Sequence, residues 1–518
     1  MTNLYWTDYI KIIITVISFI DFLVFIWLFM SFIIYIPFKA NQKSIKIISI
    51  FVILFFLLFK VLHIPVFLST LPNLGIEIKG KSTILMVLTL TNITLAIVPL
   101  VLGILTAFCF KKPTQKDFDK ITKKQINIIM PIYNEKPLAL MKTIESVLNL
   151  DYPKELIHLY LAFDEDVSTQ NSEAYVELTQ YYRLGRLDPS YRTDMLHNGM
   201  IVSICRFPHG GKKSAQYGAF KEMEKDDKNL QESLVFFIDS DTILDKNCLS
   251  HFLYSMKKYN KKAMTGLITC ITSENPCFLT FYQDIEYVSG QILWRNLEVY
   301  MGSTSCLPGA FTILHYSFIK KVSSKYFNSN EYSDNLDYQR FYLGEDRYLT
   351  HLLMEVEPWK LGFCDYARCK TEPPDTLSGL LKQRRRWYLG HIANDIWMIS
   401  SLKLWRAYPF LCLFNFLNNT RNTSIYIYLL YFTLLLNKDV PFLMWLLLII
   451  LPIVLNWIFI LAYSVKIKRK MNFLFYICIL FFQPIFSMLY MYYTIFTIKQ
   501  KGWGGVRVEK KIEIVTEK

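Results

Sequence analysis

The stretch "INIIMPIYNEKPLALMKTIESVLNL", Ile126–Leu150, has the pattern of a strand, a loop and a helix. The part up to Ile132 is almost wholly apolar, as in a strand that is buried on both faces. After the loop, apolar residues recur at helical spacing, which indicates an amphipathic helix. Two more apolar runs, "IHLYLAF" from Ile157 and "LVFFI" from Leu234, have the length of buried strands. This succession predicts an open α/β sheet.

Acidic residues follow two of these predicted strands directly. "DED", Asp164–Asp166, follows the second strand, and Asp239 and Asp241 follow the third. Ligands of open α/β sheets bind beyond the carboxyl ends of the strands. Two carboxylates on one side of an extended turn suit Mg2+ or Mn2+ that bridges a diphosphate. A solvated turn is the alternative for Asp239 and Asp241, but the acids at the earlier strand favour a ligand site.

Two further motifs allow two interpretations each. "HGGKKSAQ", His209–Gln216, is either a contact for a diphosphate or an exposed basic turn, and it lacks the spacing of a P-loop, which excludes that class of ATPase. "GEDR", Gly344–Arg347, precedes an apolar helical pattern. Acids are favourable at any helix N-terminus, yet one of them could also be a general base that takes a proton from an attacking hydroxyl.

Three consecutive arginines stand beside a tryptophan in "LLKQRRRWYLGH", Leu380–His391. A basic flank next to a membrane helix is one interpretation. A binding site is the other, because a guanidinium binds a diphosphate bidentately and an indole face stacks on a sugar. These residues alone do not decide between the two.

The composition combines membrane segments with a large polar region. The chain of 518 residues is 53% hydrophobic, with a mean hydropathy of +0.25, yet 57 basic and 43 acidic residues remain. The net charge of +14 beside apolar helices favours a lipid surface, and we expect no nucleic-acid partner. Ten scattered cysteines show no metal-binding spacing, so we expect free thiols.

Six apolar stretches, at about residues 9–38, 45–68, 83–110, 410–436, 440–465 and 473–498, are long enough to cross a bilayer. Lysines in the first loop and after the third stretch place the polar block in the cytosol. Pro484 lies within the last stretch and predicts two half-helices that re-enter the same side, which keeps the basic tail cytosolic. The N-terminal run reads as a retained helix and not as a signal peptide.

We therefore predict five regions along the chain. They are three transmembrane helices at 1–110, a cytosolic domain at 111–376, helices at the membrane interface at 377–408, transmembrane or re-entrant helices at 409–498, and a cytosolic tail at 499–518.

The motifs "PIYNE", "DSD", "CLPGAF", "LGEDR" and "QRRRW", in this order, resemble the processive, membrane-embedded inverting glycosyltransferases: the chitin, hyaluronan and cellulose synthases. Within that group, "GSTSCLPGAFTILHY" and "PPDTLSGLLKQRRRWYLGHIAND", together with "ITCITSENP" and "QDIEY", resemble the chitin synthases. The resemblance covers residues 125–395. It implies a GT-A-like, Rossmann-like glycosyltransferase domain in the cytosol.

The resemblance also implies roles for individual residues. Asp346 resembles the general base, and Gln383, Arg386 and Trp387 match the pattern Q-x-x-R-W, in which arginine holds the diphosphate and tryptophan stacks under the acceptor. The nucleotide-sugar residues would be Tyr133, Glu135, Asp164, Lys212 and Asp239, with Asp241 on Mg2+ or Mn2+ and Pro308 and Gly309 at the terminal acceptor sugar. Arg384 and Arg385 keep the basic-flank interpretation.

"GWGGVR", Gly502–Arg507, resembles only in part the family's gating loop, because Gly505 and Val506 stand where its Trp-Gly-Thr-Arg/Lys pattern has threonine and a basic residue. Trp503 is therefore either a gating residue or an interfacial anchor. "DED" also departs from the usual Asp-Asp-Gly-Ser, which leaves open the acid that meets uracil.

The reaction implied by the resemblance is chitin synthesis from UDP-N-acetylglucosamine (UDP-GlcNAc) at a plasma membrane, coupled to export of the growing chain through a transmembrane channel. A homodimer is compatible with it. The alternatives are a hyaluronan synthase, which also needs UDP-glucuronic acid, a membrane transporter, and an enzyme that adds one sugar to a lipid carrier. A transporter predicts its charged residues inside membrane helices, whereas these lie in the polar block.

Overall fold

The computed structural model describes residues 101–107, 112–165, 172–182, 191–226, 230–271, 277–328, 335–419, 473–498 and 500, with scattered residues between 454 and 465. These residues fall into two compact units. One contains Thr106–Leu411 and the residues from Tyr493 onward, and the other contains the residues from Cys412 to Tyr492 and those up to Leu105. Most of the predicted membrane stretches lie outside the described residues. Within the described part, no helix combines the length and the hydropathy that a membrane crossing requires.

The first unit is built on a mixed sheet. Its described strands are β1 Ile126–Ile132, β2 Ile157–Asp164, β3 Arg192–His197, β4 Met200–Phe207, β5 Leu234–Ile238, β6 Thr242–Leu244, β7 Ala263–Cys270, β8 Phe311–His315 and β9 Leu361–Thr371. They lie in the order β3-β4-β2-β1-β5-β8-β7-β9-β6. Strands β4, β2, β1 and β5 run parallel, whereas β8 pairs antiparallel with both β5 and β7. The predicted α/β sheet is confirmed.

The parallel strands bring their carboxyl ends to one edge. Ile132 at the end of β1 pairs with Phe163, and Asp164 at the end of β2 pairs with Phe207 at the end of β4. All residues of β1, β2 and β5 are buried, which explains why their sequences are almost wholly apolar. The acids that follow β2 and β5 therefore face the same edge.

Helices cover both faces of the sheet. Those used below are α1 Gln115–Asp119, α2 Pro137–Leu148, α3 Glu173–Tyr181, α4 Lys212–Asp226, α5 Cys248–Lys258, α6 Phe278–Ser289, α7 Asn296–Tyr300, α8 Tyr316–Phe327, α9 Asn335–Tyr338, α10 Glu345–Val356, α11 Leu377–Ser400, α12 Leu402–Ala407, α13 Pro409–Asn419 and α14 Phe473–Phe496. The main core between α2, α5 and the sheet includes Ile144, Phe236 and Phe252.

Helix α14 differs from the prediction at Pro484. The sequence predicts two half-helices there, whereas the structure has one continuous α-helix from Phe473 to Phe496. A proline removes one backbone donor, and a helix of 24 residues can lose that single hydrogen bond without ending. The prediction of a break at Pro484 is therefore wrong.

Candidate active site

A largely buried lysine joins two acidic motifs at the strand edge. Lys212, the first residue of α4, lies 2.7 Å from Oδ1 of Asp239 and 3.6 Å from Oε1 of Glu345. Burial opposes the charge of this lysine, yet the two carboxylates outweigh it and raise the pKa of Lys212. The "HGGKKSAQ", "DSD" and "GEDR" motifs thus meet at one ammonium group that stays charged at neutral pH.

The two acids of "GEDR" begin α10 and lie in different environments. Glu345 is buried, and its pKa is raised to about 6. Burial is the main cause, the negative charge of Asp346 raises the pKa further, and the positive charge of Lys212 lowers it. Asp346 is less buried, and its Oδ1 accepts a hydrogen bond of 2.7 Å from the backbone N–H of Arg347. Both acids lie in the first turn of α10, where the helix dipole stabilises negative charge.

The "CLPGAF" loop supplies the opposite wall of this site. The Cys306 thiol donates to Oδ2 of Asp346 across 3.3 Å, and burial raises the pKa of Cys306 to about 12, so the thiol keeps its proton. Leu307 N–H donates to Thr350 Oγ1, which in turn donates to the carbonyl of Asp346. At Gly309, a Cβ would lie only 2.9 Å from Nζ of Lys212. The loop is therefore fixed against both α10 and Lys212.

Together these residues line one cleft. Its lining consists of Lys212, Gln216, Phe237, Leu307, Gly309, Thr312, Tyr326, Glu345, Asp346 and Leu349. Pro308 lies next to this lining, and its carbonyl accepts hydrogen bonds from Phe311 N–H and the Thr312 hydroxyl. The cleft thus combines carboxylates, an ammonium group and a glycine.

A second cluster lies at the ends of β1 and β2. Asp164 is 2% exposed, and its carboxylate accepts hydrogen bonds from the backbone N–H groups of Gly210 (2.9 Å) and Gly211 (3.0 Å). Nδ1 of His209 lies 3.0 Å from Oδ2 of Asp164, and the His209 ring stacks on Tyr133 at 4.8 Å. Gly211 has φ +87°, a conformation that favours glycine. Asp164 therefore holds the loop that leads to Lys212.

The predicted metal residues lie at the end of β5. The Ser240 hydroxyl, between Asp239 and Asp241, donates to Glu135 across 2.6 Å. The Asp239 side chain is 29% exposed, and the charge of Asp241 contributes to the electrostatic environment of Tyr287. Among the described residues, no group of three or more His, Cys, Asp or Glu side chains could hold a metal. Two carboxylates do fit Mg2+ that takes its other ligands from a diphosphate and water.

Helix α11 carries the "QRRRW" motif to this site. The charge of Arg386 contributes to the electrostatic environments of both Lys212 and Glu345. Trp387 is 38% exposed and meets the Tyr287 ring edge-to-face at 5.7 Å, and the Gln383 side chain accepts a hydrogen bond from Arg384. Lys212, Asp239, Glu345 and Arg386 are therefore brought together, whereas Tyr133 and Asp164 form the neighbouring cluster.

Arg384 and Arg385 are not a solvated basic flank, and that interpretation is wrong for both. Each is only 4% exposed. Arg384 forms an ion pair with Glu286 at 2.6 Å, and Arg385 donates to the hydroxyl and the carbonyl of Thr497, each at 2.7 Å. A run of arginines in the sequence cannot reveal these partners, because both are more than ninety residues away along the chain.

Two glycines set the distance between α11 and the start of α10. A Cβ on Gly390 would lie 2.7 Å from Cα of Gly344, and one on Gly344 would lie 2.8 Å from Cα of Gly390. The buried Asn394 amide donates to the carbonyls of Gly344 and Gly390 at 3.1 Å and 2.9 Å. Sequence reasoning missed this contact and also missed Glu345 and Cys306. The only signal for these two residues in the sequence is that Glu345 lies in "GEDR" and Cys306 in "CLPGAF".

Trp503, the residue predicted for gating, lies outside the described residues. The eight cysteines whose side chains are described are free thiols.

Comparisons with known proteins give consistent matches. A family model described as chitin synthase matches residues 220–516, and one described as glycosyl transferase family 2 matches residues 127–297. Chitin synthase G of Aspergillus niger is 37% identical over 420 residues, which cover 77% of this chain and 55% of that protein. Chitin synthase 7 of Verticillium dahliae is 35% identical over 414 residues, which cover 77% of this chain and 58% of that protein.

The chain thus matches little more than half the length of these curated relatives. Among solved structures, a mannosyltransferase from Pyrobaculum calidifontis in complex with GDP-Man and Mn2+ is similar with a TM-score of 0.47 and 11% identity. That match covers 80% of this chain and 99% of the mannosyltransferase.

Proposed function

Because the chain belongs to the chitin synthase family, we propose that it transfers N-acetylglucosamine from UDP-GlcNAc to the non-reducing 4-hydroxyl of a growing β-1,4 chain. Its α/β sheet is that of a GT-A-like glycosyltransferase. One observation carries the proposal: Asp346 and Lys212 line one cleft beside the "CLPGAF" loop, and Asp239 and Arg386 interact electrostatically with Lys212. A carboxylate and an ammonium group at one cleft support this proposal, because transfer from a nucleotide sugar needs a base for the acceptor and positive charge for the diphosphate.

Asp346 is the general base in this proposal. It accepts the proton as the acceptor hydroxyl attacks the anomeric carbon, and attack from the face opposite UDP inverts that carbon. Asp346 suits this role because it lies at the cleft, is less buried than Glu345, and is oriented by the Arg347 N–H and the Cys306 thiol. Glu345 balances the charge of Lys212.

Lys212 and Arg386 stabilise the charge that develops on the departing diphosphate. Fixed cations in a partly dry cleft act more strongly than they do in water, and they need no reorganisation during the reaction. Lys212 keeps its charge because Asp239 and Glu345 offset the effect of its burial. Asp164, His209 and Tyr133 shape the neighbouring part of the site, where the nucleoside would bind.

Asp241 and Asp239 would hold Mg2+ or Mn2+. The bound cation would neutralise charge on the diphosphate of UDP. Their carboxylate oxygens are the donor type that these cations prefer, and two protein ligands leave coordination positions for phosphate oxygens and water.

Processivity and export complete the proposal. Trp387 is a stacking surface for the acceptor sugar, because its indole is partly exposed at the end of the site. The apolar stretches in the sequence would place the protein in the plasma membrane, with the catalytic domain in the cytosol and a channel for the polymer. The growing chain could then stay bound while it is extended and exported.

A UDP-release assay on detergent-purified protein with Mg2+ or Mn2+ tests the reaction. We expect turnover with UDP-GlcNAc alone and a product that chitinase digests. Turnover that requires UDP-glucuronic acid as well, with a chitinase-resistant product, would instead support hyaluronan synthesis.

Asp346→Asn tests the base. We expect loss of polymer formation with unchanged UDP binding, because the amide keeps the size of the side chain but cannot take up the proton. Glu357→Gln is a control, since Glu357 pairs with Lys262 and Lys321 away from the cleft. Full polymerisation by the Asp346 variant would refute the assignment.

A further inference from the structure

The "QDIEY" segment, Gln283–Tyr287, lies on α6 and contacts the region around α11. Gln283 donates to the carbonyl of Pro374, which precedes α11, at 2.7 Å. Asp284 accepts a hydrogen bond of 3.1 Å from the N–H of Cys270, so α6 is also fixed to β7. The last two residues of the segment contact "QRRRW" directly. Nothing in the proposed mechanism so far uses this segment.

Arg384 lies between Glu286 and Trp387. Its Nη2 is 2.6 Å from Oε2 of Glu286 and its Nε is 3.0 Å from the same oxygen. Its guanidinium carbon lies 4.2 Å from the centre of the Trp387 ring, within the range of a cation–π contact. Because Arg384 is only 4% exposed, water screens neither contact strongly.

The indole of Trp387 is therefore held on two sides. The guanidinium of Arg384 covers part of one ring face, and the Tyr287 ring meets the indole at an interplanar angle of 73°. The indole nevertheless remains 38% exposed. A fixed ring that keeps an open surface is what a sugar-stacking platform needs, because a mobile indole would have to be ordered each time a sugar binds.

We propose that Glu286 and Arg384 are positioning residues for the acceptor sugar: they fix the indole of Trp387 so that its exposed surface stacks on an N-acetylglucosamine oligomer. This inference rests on the proposed function. It assigns a role in acceptor binding to the "QDIEY" segment and to the first arginine of "QRRRW". Neither residue takes part in the proton transfer.

A purely structural role makes a different prediction. If the ion pair only held α6 against α11, then its loss would weaken donor and acceptor binding together, since Arg386 lies on the same helix. A positioning role raises the KM for the acceptor and leaves the KM for the donor unchanged. The two roles are therefore separated by the ratio of these constants.

The experiment uses the full chain with Glu286→Gln, Arg384→Met, Arg384→Lys and the double variant Glu286→Gln/Arg384→Met. Binding of chitotetraose is measured by calorimetry, which needs no turnover, and the KM for UDP-GlcNAc and for chitotetraose is measured by UDP release. Glu357→Gln is the matched control, because Glu357 also forms ion pairs with cationic side chains. The Glu357 side chain is 21% exposed, and the Glu286 side chain is 26% exposed.

In Glu286→Gln and in Arg384→Met, we expect the KM for the acceptor and the dissociation constant of chitotetraose to rise about tenfold. This change is equivalent to about 1.4 kcal/mol. The donor KM should stay within about twofold. Since the two residues act as a unit, the double variant should be no worse than Arg384→Met. Arg384→Lys should be intermediate, because an ammonium keeps the charge but loses the planar stacking.

Variants that bind chitotetraose as wild type does would overturn the inference, as would a parallel loss of donor and acceptor affinity. Wild-type protein that binds no chitotetraose would also overturn it. Wild-type protein that binds chitotetraose but releases no UDP from UDP-GlcNAc would refute the proposed function, and the calorimetry would still decide the role of Glu286 and Arg384.

Discussion

At the level of single residues, Asp346 depends on the thiol beside it. Cys306 donates to its carboxylate, and the raised pKa of Cys306, about 12, keeps the donor proton in place at any physiological pH. A hydrogen bond to a carboxylate fixes its orientation. Cys306 therefore orients the proposed base, although a cysteine in a sequence gives no hint of such a contact.

Cys306→Ala should lower kcat roughly fivefold, which corresponds to loss of a hydrogen bond of about 1 kcal/mol. Cys306→Ser should retain much of the activity, because a hydroxyl can also donate to Asp346. The measurement is kcat from UDP release, with Cys248→Ala as a control for removing a buried thiol elsewhere. Equal loss in the Ala and Ser variants would show that the volume of Cys306 matters and its proton does not.

The raised pKa of Glu345 leads us to expect that the stability of the fold depends on pH. Burial raises the pKa of Glu345 from an ordinary 4.5 to about 6, so the folded protein binds this proton more tightly than the unfolded chain does. The free energy of unfolding that protonated Glu345 contributes is fully present below pH 4.5, and it is lost as the pH rises through 6. Relative to wild type, Glu345→Gln should therefore gain about 2 kcal/mol between pH 4 and pH 7.

Thermal unfolding of both proteins across this pH range measures the difference. Glu357→Gln is a control of opposite sign, because hydrogen bonds from Lys262 and Lys321 lower the pKa of Glu357. That variant should lose stability relative to wild type as the pH rises. A Glu345 variant whose difference from wild type does not change with pH would contradict the assigned burial effect.

At the level of elements, the contact between α10 and α11 decides whether the base and the cations share one cleft. The two helices meet where Gly344 and Gly390 leave no room for a Cβ, and Asn394 bonds to both carbonyls there. Helices approach closely only through such small residues. Asp346 and Arg386 lie near this contact, on α10 and α11 respectively, so its distance controls their separation.

Gly390→Ala should therefore lower both stability and activity. Its Cβ would lie 2.7 Å from Cα of Gly344, which forces the helices apart at a cost of roughly 1–3 kcal/mol. We expect a lower melting temperature and a fall in UDP release that the temperature shift alone does not explain. Gly290→Ala is the control, because a Cβ there meets open space. A Gly390 variant with wild-type turnover would show that the separation of α10 and α11 is not critical.

The sequence allowed the strand edge to be predicted but not the contacts across it. The acids after β2 and β5 could be placed because an apolar run of strand length and the carboxyl-end rule depend on local pattern. Arg384 and Arg385 could not be placed, because the burial of a charge depends on partners that only the fold supplies, namely Glu286 and Thr497. The break predicted at Pro484 failed for a related reason: a proline weakens a helix locally, but the surrounding helix decides whether it ends.

At the level of the whole molecule, the end of α14 returns to the catalytic unit. Arg385, one residue before Arg386, donates to the Thr497 hydroxyl and carbonyl and also to the carbonyl of Gln500. A buried guanidinium at the last carbonyls of a helix complements the helix dipole. Gln500 is therefore held against α11, the helix that carries "QRRRW".

This contact gives a prediction of topology that does not depend on a break at Pro484. If the catalytic unit is cytosolic, a cysteine introduced by Lys510→Cys should not react with a membrane-impermeant maleimide added to intact cells, and it should react once the cells are permeabilised. Wild-type protein, treated in parallel, measures labelling of the native thiols. Labelling of the variant in intact cells would place the tail outside, and either the contact between Arg385 and Thr497 or the cytosolic location of the catalytic unit would then be wrong. The wild-type control separates these two outcomes, because an external catalytic unit would expose the native thiol of Cys277 to the reagent, whereas a broken contact alone would leave that thiol unlabelled in intact cells.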